Sequence, residues 1–475
     1  VLQYWPHFTI LGTLNVLALI VVIPYILLTK KEPATAVAWV LLVLFLPIVG
    51  TLIFWTFGYN YLLHRVTHRR RRQPLIRERH AVAAQNPDAG MTATDHELAR
   101  LARRFQAFPP RAGNAVTLYS DTADALAALM TDIERAQHHV HLEFFIFRSD
   151  QTGLRVLDLL TQKAKQGVKV RLLYDAMGSV QLRQRSLAPL REAGGRAFAF
   201  LPLNPLRSRI QINLRNHRKI AVVDGRVAYT GGMNIGDEYL GRGAKFNWWR
   251  DSFLRVQGPA ASDLQRIFCE DWDFAVRETL DDAAYYPPPD DAGNDVLQVA
   301  ASGPDQVVNT LREIYFMAFL AARERLWVAT PYTILDTAFA DALRLARGRG
   351  VDVRVLTISR PDHITSFYAG KSYWSDMLEM GVKVYLYGKG MMHSKLILVD
   401  GTWASLGSAN LDNRSLRLNF EAGCLLYGRE RVAELEAAFE RDLEVSQRLD
   451  PEQYERRSAL ARAAENACRL LSPIL

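Results

Sequence analysis

Two stretches of this chain repeat one another, and that repeat limits what the chain can fold into. Residues 215–236 read RNHRKIAVVDGRVAYTGGMNIG, and residues 390–412 read GMMHSKLILVDGTWASLGSANLD. Setting His217 on His393 places Lys219 on Lys395, Asp224 on Asp400, Gly225 on Gly401, Gly231 on Gly407 and Asn234 on Asn410. The same gap is filled by an apolar run in both copies, IAVV and LILV. Agreement at so many positions marks an internal duplication, so the chain is expected to fold as two like halves.

The surroundings repeat as well. HVHLEFFIF, a helix-like segment and GVKVRLLYD stand ahead of the first motif; RLWVATPYT, a helix-like segment and GVDVRVLTI stand ahead of the second. Short apolar runs alternating with helical patterns predict parallel strands in an α/β layer fold. Residues 112–285 form the first half and 296–448 the second. Between them YYPPPDDAGND is rich in proline, glycine and acid, so 286–295 reads as a linker whose aspartates are solvated.

The motif itself makes chemical sense. In a strand, residues i and i+2 share a face, so His217 and Lys219 project together, as do His393 and Lys395. An imidazole serves as nucleophile or proton carrier near neutral pH. The ammonium beside it holds a phosphate oxygen as a point charge. Asp224-Gly225 and Asp400-Gly401 suit tight hairpin turns. These two aspartates belong to the motif but read as mainly structural, holding it by local hydrogen bonds or an ion pair. Gly231-Gly232 and Gly407-Ser408 let backbone approach a substrate, and Asn234 and Asn410 offer neutral amide donors to phosphate oxygens. Two such units face to face surround one phosphorus with two histidines, two lysines and two asparagines.

The amino-terminal region has a different character. Residues 8–28 and 34–57 are uncharged and apolar. As helices they reach roughly 31 and 36 Å, enough for a hydrocarbon core of about 30 Å. A short TKKEP tip joins them, so residues 1–63 are expected to form a membrane hairpin; a second span so close behind argues against a cleaved signal peptide. Seven arginines and one acid follow between 64 and 80, which places that end in the cytoplasm by the positive-inside rule. The cluster also attracts anionic lipid headgroups. Residues 64–111 read as a basic juxtamembrane linker, polar from about 85 to 105 with a short helix. Residues 449–475 read as an amphipathic segment that either lies on the interface or packs as an ordinary helix.

Charge narrows the function further. Six of the eight net positive charges sit in that arginine run, so little is left to spread over the globular halves. A nucleic-acid enzyme distributes basic charge over its working domain, so a nucleic-acid partner is not expected. Three scattered cysteines make neither a disulfide framework nor a zinc site. His138, His139 and His141 lack a matching acid pattern, so no metal is expected there. Glu143 either lines a headgroup site or is a buried structural acid. No nucleotide-binding fingerprint is present.

The duplicated motif resembles that of the phospholipase D superfamily, H-x-K-x4-D followed by G-G/S and asparagine. The resemblance spans roughly 116–444. It implies two pseudo-symmetric α/β halves with the active site between them, a covalent phosphohistidine intermediate and no metal or other cofactor. It also implies a carboxylate that orients each histidine. Counting within each half, Asp251 follows His217 and Glu421 follows His393. Each acid starts an apolar strand that ends at a glycine, Gly258 or Gly428.

Over nearly its whole length the chain is similar to the bacterial cardiolipin synthases of this superfamily. The carrying segments are AVAWVLLVLFLPIVG, FGYN, HLEFFIF, INLRNHRKI, TGGMNIGDEY and RLLSPIL. The family implies transfer of a phosphatidyl group between two phosphatidylglycerol molecules, giving cardiolipin and glycerol. By family analogy His217 is the nucleophile and His393 the general acid and base, with Lys219, Lys395, Asn234 and Asn410 on the phosphate oxygens. The setting implied is the bacterial inner membrane, multi-pass, with the catalytic region cytoplasmic. A hydrolase releasing phosphatidic acid, a nuclease, a related phosphatidylserine synthase and a non-catalytic scaffold are the competing readings. The motifs alone leave oligomeric state open.

Overall fold

The computed structural model describes residues 5–29, 33–58, 90–202, 213–306 and 308–475. They fall into two compact units, one up to Gly58 and one from Gly90 onward without the 203–213 segment. The basic run at 64–80 lies outside the described residues.

In the smaller unit the first apolar run is one helix, Trp5–Thr29. The second is divided. Pro47 disfavours helical backbone in the residue before it, and Leu46 sits at φ −131° between helices Pro33–Phe45 and Pro47–Ile53. A π turn, Phe54–Gly58, closes the segment. The expected continuous helix over 34–57 is therefore three pieces. Val22, Ile26, Val43 and Phe54 are buried between the helices, and Trp39 meets Phe54 edge-on at 5.3 Å. Val16, Leu17, Ile20, Leu41, Leu44 and Leu52 face outward. Among the described residues no helix is long and apolar enough to cross a membrane.

The larger unit is α/β and carries the duplication. In each half seven strands run in one spatial order. The first half reads Arg111–Asp121, Trp249–Gln257, Val227–Gly231, Ile220–Val223, His139–Phe144, Lys169–Asp175, Arg196–Phe200. The second reads Asp295–Ser302, Glu421–Tyr427, Trp403–Gly407, Leu396–Val399, Arg325–Ala329, Asp352–Ile358, Lys383–Tyr387. The two sheets join where Arg111–Asp121 pairs antiparallel with Asp295–Ser302. His139–Phe144 and Lys169–Asp175 are parallel, connected through helix Gln151–Lys165, and Arg325–Ala329 and Asp352–Ile358 repeat that through Thr337–Gly348.

Each half closes on a helix that turns back from its acid-bearing strand. Gly258 (φ 121°) and Gly428 (φ 101°) make the two turns with backbone that side-chain-bearing residues avoid. Helix Pro259–Val276 is buried almost throughout, whereas Arg429–Glu444 buries one face.

Two boundaries differ from the sequence reading. The fold does not begin at 112. Helix Ala93–Arg104 is already part of it, capped by Thr92 and Asp95, with Leu98, Ala99 and Ala102 buried against helix Thr310–Ala321. The amphipathic carboxy-terminal stretch forms helix Ala459–Arg469, which rests on helix Ile364–Glu379. Lys371 and Arg457 pair with the buried Glu465 at 3.0 and 3.2 Å, and Arg469 pairs with Asp376 at 2.7 Å. The segment packs on that helix and leaves Leu460 and Leu470 exposed.

Candidate active site

The histidine–lysine segments enter strands Ile220–Val223 and Leu396–Val399 from the same end, and the aspartates leave at the other. Asp224 (φ 54°) and Gly225 (φ 68°) open a three-residue hairpin loop between Val223 and Val227, as Asp400 (φ 51°) and Gly401 (φ 68°) do between Val399 and Trp403. Asp224 accepts backbone N–H bonds from Gln137, His138 and His139, each at 2.8 Å. Asp400 accepts from Arg323, Glu324 and Arg325 at 2.8–2.9 Å. A four-residue strand, roughly 13 Å long, separates each aspartate from its lysine. Asp224 and Asp400 therefore do not stand with the histidines. They clamp the turn to the start of the neighbouring strand, through backbone amides and not through an ion pair.

The two motifs meet across the boundary between the halves. Asn216 bridges Phe420, so His217 N–H donates to the Phe420 carbonyl at 2.9 Å. Met391 and Met392 run parallel to Trp249 and Arg250, so His393 N–H donates to the Arg250 carbonyl at 2.7 Å. Each histidine thus lands beside the acid of the opposite half. His217 Nδ1 lies 3.0 Å from Glu421 Oε1 and 3.1 Å from Oε2. His393 Nδ1 lies 2.6 Å from Asp251 Oδ2. Glu421 and Asp251 are the two carboxylates expected beside the histidines, but the pairing is crossed. A carboxylate accepting from Nδ1–H fixes the tautomer and leaves Nε2 for a substrate.

Electrostatics tie the set together. Burial pushes His217 down to about 4 against the pull of Glu421, and Lys219 and Lys395 add to the fall. Burial, Lys395 and Lys219 likewise lower His393, opposed by Asp251. Burial would raise Glu421 and Asp251, yet the histidine and lysines beside each hold both below the usual carboxylate range. Burial lowers Lys219 to about 7 and Lys395 to about 8, although Glu421 and Asp251 favour their charged forms. Each ammonium donates to the carbonyl of its own motif's histidine. Two imidazoles, two lysines and two carboxylates are thus buried and electrostatically linked.

The asparagines are held differently. Asn234 Oδ1 accepts the Ile146 N–H at 3.0 Å. Asn410 is buried beside Asp412. Glu143 is 1% exposed and accepts from the Asn216 amide, so it does not line an open headgroup site. Burial and Asp271 hold its carboxyl well above the usual range.

Several residues support the couples: Gly232 and Ser408, read from the sequence as room for a substrate, act on the carboxylates, and Arg218 and Ser394 were not singled out in the sequence. Ser408 donates to Glu421 Oε2, while its counterpart Gly232 leaves room for Asp251; a Cβ there would come within 2.0 Å of Asp251 Oδ1. Arg218, between the first histidine and lysine, donates through Nε to the Glu421 carbonyl at 3.0 Å and through Nη2 to Ser302 at 3.1 Å, and pairs with Asp271. Its counterpart Ser394 bonds Ser252 Oγ at 2.6 Å, next to Asp251. The position between histidine and lysine was the available signal, because its side chain points to the other side of the segment, into the seam.

Comparison with known proteins gives this geometry its family. A family model described as cardiolipin synthase, PLD-like domain, matches residues 129–272 and 316–443. The cardiolipin synthase of Geobacillus kaustophilus (strain HTA426) is 39% identical, over 98% of this chain and 94% of its own length. The chain belongs to the cardiolipin synthase family. Another cardiolipin synthase, from Geobacillus thermodenitrificans (strain NG80-2), is 38% identical over the whole of this chain and 96% of its own. The amino-terminal residues 13–58 match a second model, described as phospholipase D-nuclease N-terminal. Among solved structures, the phosphatidylserine synthase of Haemophilus influenzae Rd KW20 superposes with a TM-score of 0.61 at 18% identity, covering 80% of this chain and all of that one. That likeness shows the shared fold. As a member of the cardiolipin synthase family, the chain is a phosphatidyltransferase.

Proposed function

We propose that the chain joins two phosphatidylglycerol molecules into cardiolipin and glycerol by way of a phosphatidyl-histidine. The observation that supports this most is the pair of crossed histidine–carboxylate couples with two lysines beside them. His217 Nε2 attacks phosphorus of the donor, and the P–O bond to the departing glycerol breaks. His393 gives that oxygen a proton. It then takes a proton from the terminal hydroxyl of the acceptor phosphatidylglycerol, whose oxygen attacks the same phosphorus and releases His217. Lys219 and Lys395 offset the charge that builds on the non-bridging oxygens. Asn234 and Asn410 belong to the walls of the phosphate site. Glu421 and Asp251 keep both imidazoles in the working tautomer and stabilise their protonated forms. One phosphodiester replaces another, so the chemistry needs no nucleotide and no metal.

Both reactants reside in a bilayer. The apolar hairpin of residues 8–28 and 34–57 is proposed as the anchor in a bacterial inner membrane, with the arginines after it and the catalytic halves on the cytoplasmic side. The outward-facing Leu17, Ile20, Leu41 and Leu52 suit lipid contact. Burial of both couples supports transfer over hydrolysis, because excluded water cannot intercept the phosphohistidine.

The test is a product assay with labelled phosphatidylglycerol vesicles and purified full-length chain, without metal or nucleotide. Cardiolipin with an equal amount of free glycerol is expected. Phosphatidic acid as the sole product would replace this reading by a hydrolase.

A further inference from the structure

Helix Ala93–Arg104 carries a concentration of charge that the reaction does not use. Its buried face has Leu98, Ala99 and Ala102 as its apolar residues and the acid Asp95 beside them. His96, Arg100, Arg103 and Arg104 recur at three- and four-residue spacing and so share the opposite, exposed face. Among the described residues none of the three arginines forms an ion pair; the nearest acid in sequence, Glu97, is itself exposed at the edge of that face. Favourable placement at the helix carboxy terminus accounts for Arg103 and Arg104 but not for Arg100 or His96.

These four side chains line a cavity of about 430 Å³, with Met91, Ala99 and Pro110 as its apolar wall. The volume falls in the range of about 300–1,000 Å³ that takes organic ligands, well beyond what a bare phosphate needs. The cavity is separate from the reacting couples. Ala99 O accepts from Gln298 Nε2, and Gln298 pairs with Leu425, four residues along the strand from Glu421. That offset alone is roughly 14 Å.

We propose that this cavity is a second lipid site, binding the phosphodiester headgroup of an anionic phospholipid of the bilayer. Guanidinium forks match phosphate oxygens in pairs, and three of them converge here with no competing carboxylate inside the cavity. The apolar wall faces the glycerol backbone that a lipid has and an inorganic ion lacks. Such a site retains an anionic lipid against the catalytic unit while the reacting pair turns over. The proposal extends the reading that the reactants are anionic bilayer lipids, but lipid binding here does not depend on turnover.

The experiment counts dihexanoyl phosphatidylglycerol molecules held by the full chain in neutral detergent, by native mass spectrometry, in a His393→Ala background that stops turnover. Adding Arg100→Gln/Arg103→Gln/Arg104→Gln should remove one bound lipid. In the otherwise unaltered chain, the triple substitution should leave the rate on soluble dihexanoyl phosphatidylglycerol intact. It should lower the rate on phosphatidylcholine vesicles holding dilute phosphatidylglycerol about tenfold or more. Equal lipid counts overturn the site. So does an equal loss of rate in both formats, or displacement of the extra lipid by inorganic phosphate at the same concentration. Failure of the proposed reaction appears separately, as a wild-type chain that forms no cardiolipin while its lipid count remains readable.

Discussion

Glu421 of the second half lies 3.0 Å from Nδ1 of His217 in the first, and Asp251 of the first half lies 2.6 Å from Nδ1 of His393 in the second. The crossing follows from backbone. The segments before the histidines bond to the segments before the opposite acids, at Asn216–Phe420 and at Met391–Trp249. The two couples have different tasks in the proposed reaction, so their loss should be distinguishable.

Glu421→Gln should slow phosphohistidine formation whatever the leaving group. Asp251→Asn should slow protonation of the leaving oxygen and be largely rescued by a donor carrying an acidic phenol in place of glycerol. Each should cost about 10²–10⁴-fold on phosphatidylglycerol. Single-turnover rates with both donors check this, and rescue of Glu421→Gln but not Asp251→Asn would reverse the assignment of nucleophile and acid.

Asp224→Ala and Asp400→Ala should lower stability, not chemistry. Each removes the acceptor for three backbone N–H groups and puts alanine at positive φ, a loss of about 3 kcal/mol. The melting temperature should fall while the rate per folded molecule stays within about twofold of wild type. A large loss of rate without loss of stability would place these aspartates in the reaction.

Lys219 is depressed to about 7 and Lys395 to about 8, so their positive charge is present below those values and disappears as pH rises through them. KM for phosphatidylglycerol should therefore increase between about pH 7 and 9. An arriving phosphodiester anion favours the charged lysines, so binding near pH 8 should take up protons, measurable by calorimetry in buffers of different ionisation heat. On the acid side His217 protonates only near 4, so the nucleophile itself is not lost until the pH falls toward that value. Lys219→Gln should remove the first part of the alkaline rise.

Gly232→Ala should be far more harmful than Ser408→Ala. The added Cβ collides with the Asp251 carboxylate, whereas Ser408→Ala removes one hydroxyl bond to Glu421. The first should reduce activity to the level of Asp251→Asn, and the second by about tenfold. Phosphohistidine trapping with the phenol donor should survive Gly232→Ala, because the His217–Glu421 couple is untouched.

Much of this was legible in the chain. The duplication gave the α/β halves with their parallel strands, because these depend on local pattern, whereas His217–Lys219 and His393–Lys395 stand just ahead of the strands Ile220–Val223 and Leu396–Val399 and not in them. Asp251 and Glu421 were found by their matching place at the head of an apolar strand. Their pairing was not, because it is fixed by contacts between residues some 200 apart in sequence, such as His217 and Glu421, and counting within a half cannot see them. Arg218 and Ser394 were missed for the same reason, since their worth lies in what crosses the seam. The early start of the fold at Thr92 was masked by the polarity of helix Ala93–Arg104, whose buried face has Leu98, Ala99 and Ala102 as its apolar residues and the acid Asp95 beside them. The break in the expected helix over 34–57 was not drawn from the sequence, although Pro47 is its signal: Leu46, the residue before it, leaves helical geometry.

The exchange of carboxylates between the halves also bears on how such a duplicated chain changes over time. In a protein whose two copies each held a complete couple, one copy would be free to decay or take up another task while the other kept working. Here a change that moves the strand head at Glu421 disables the histidine of the other copy, and a change at Asp251 does the same in return. Neither copy is a spare. Selection acts on the two as a single inherited unit, and their sequences drift under mutual constraint although each has its own sheet.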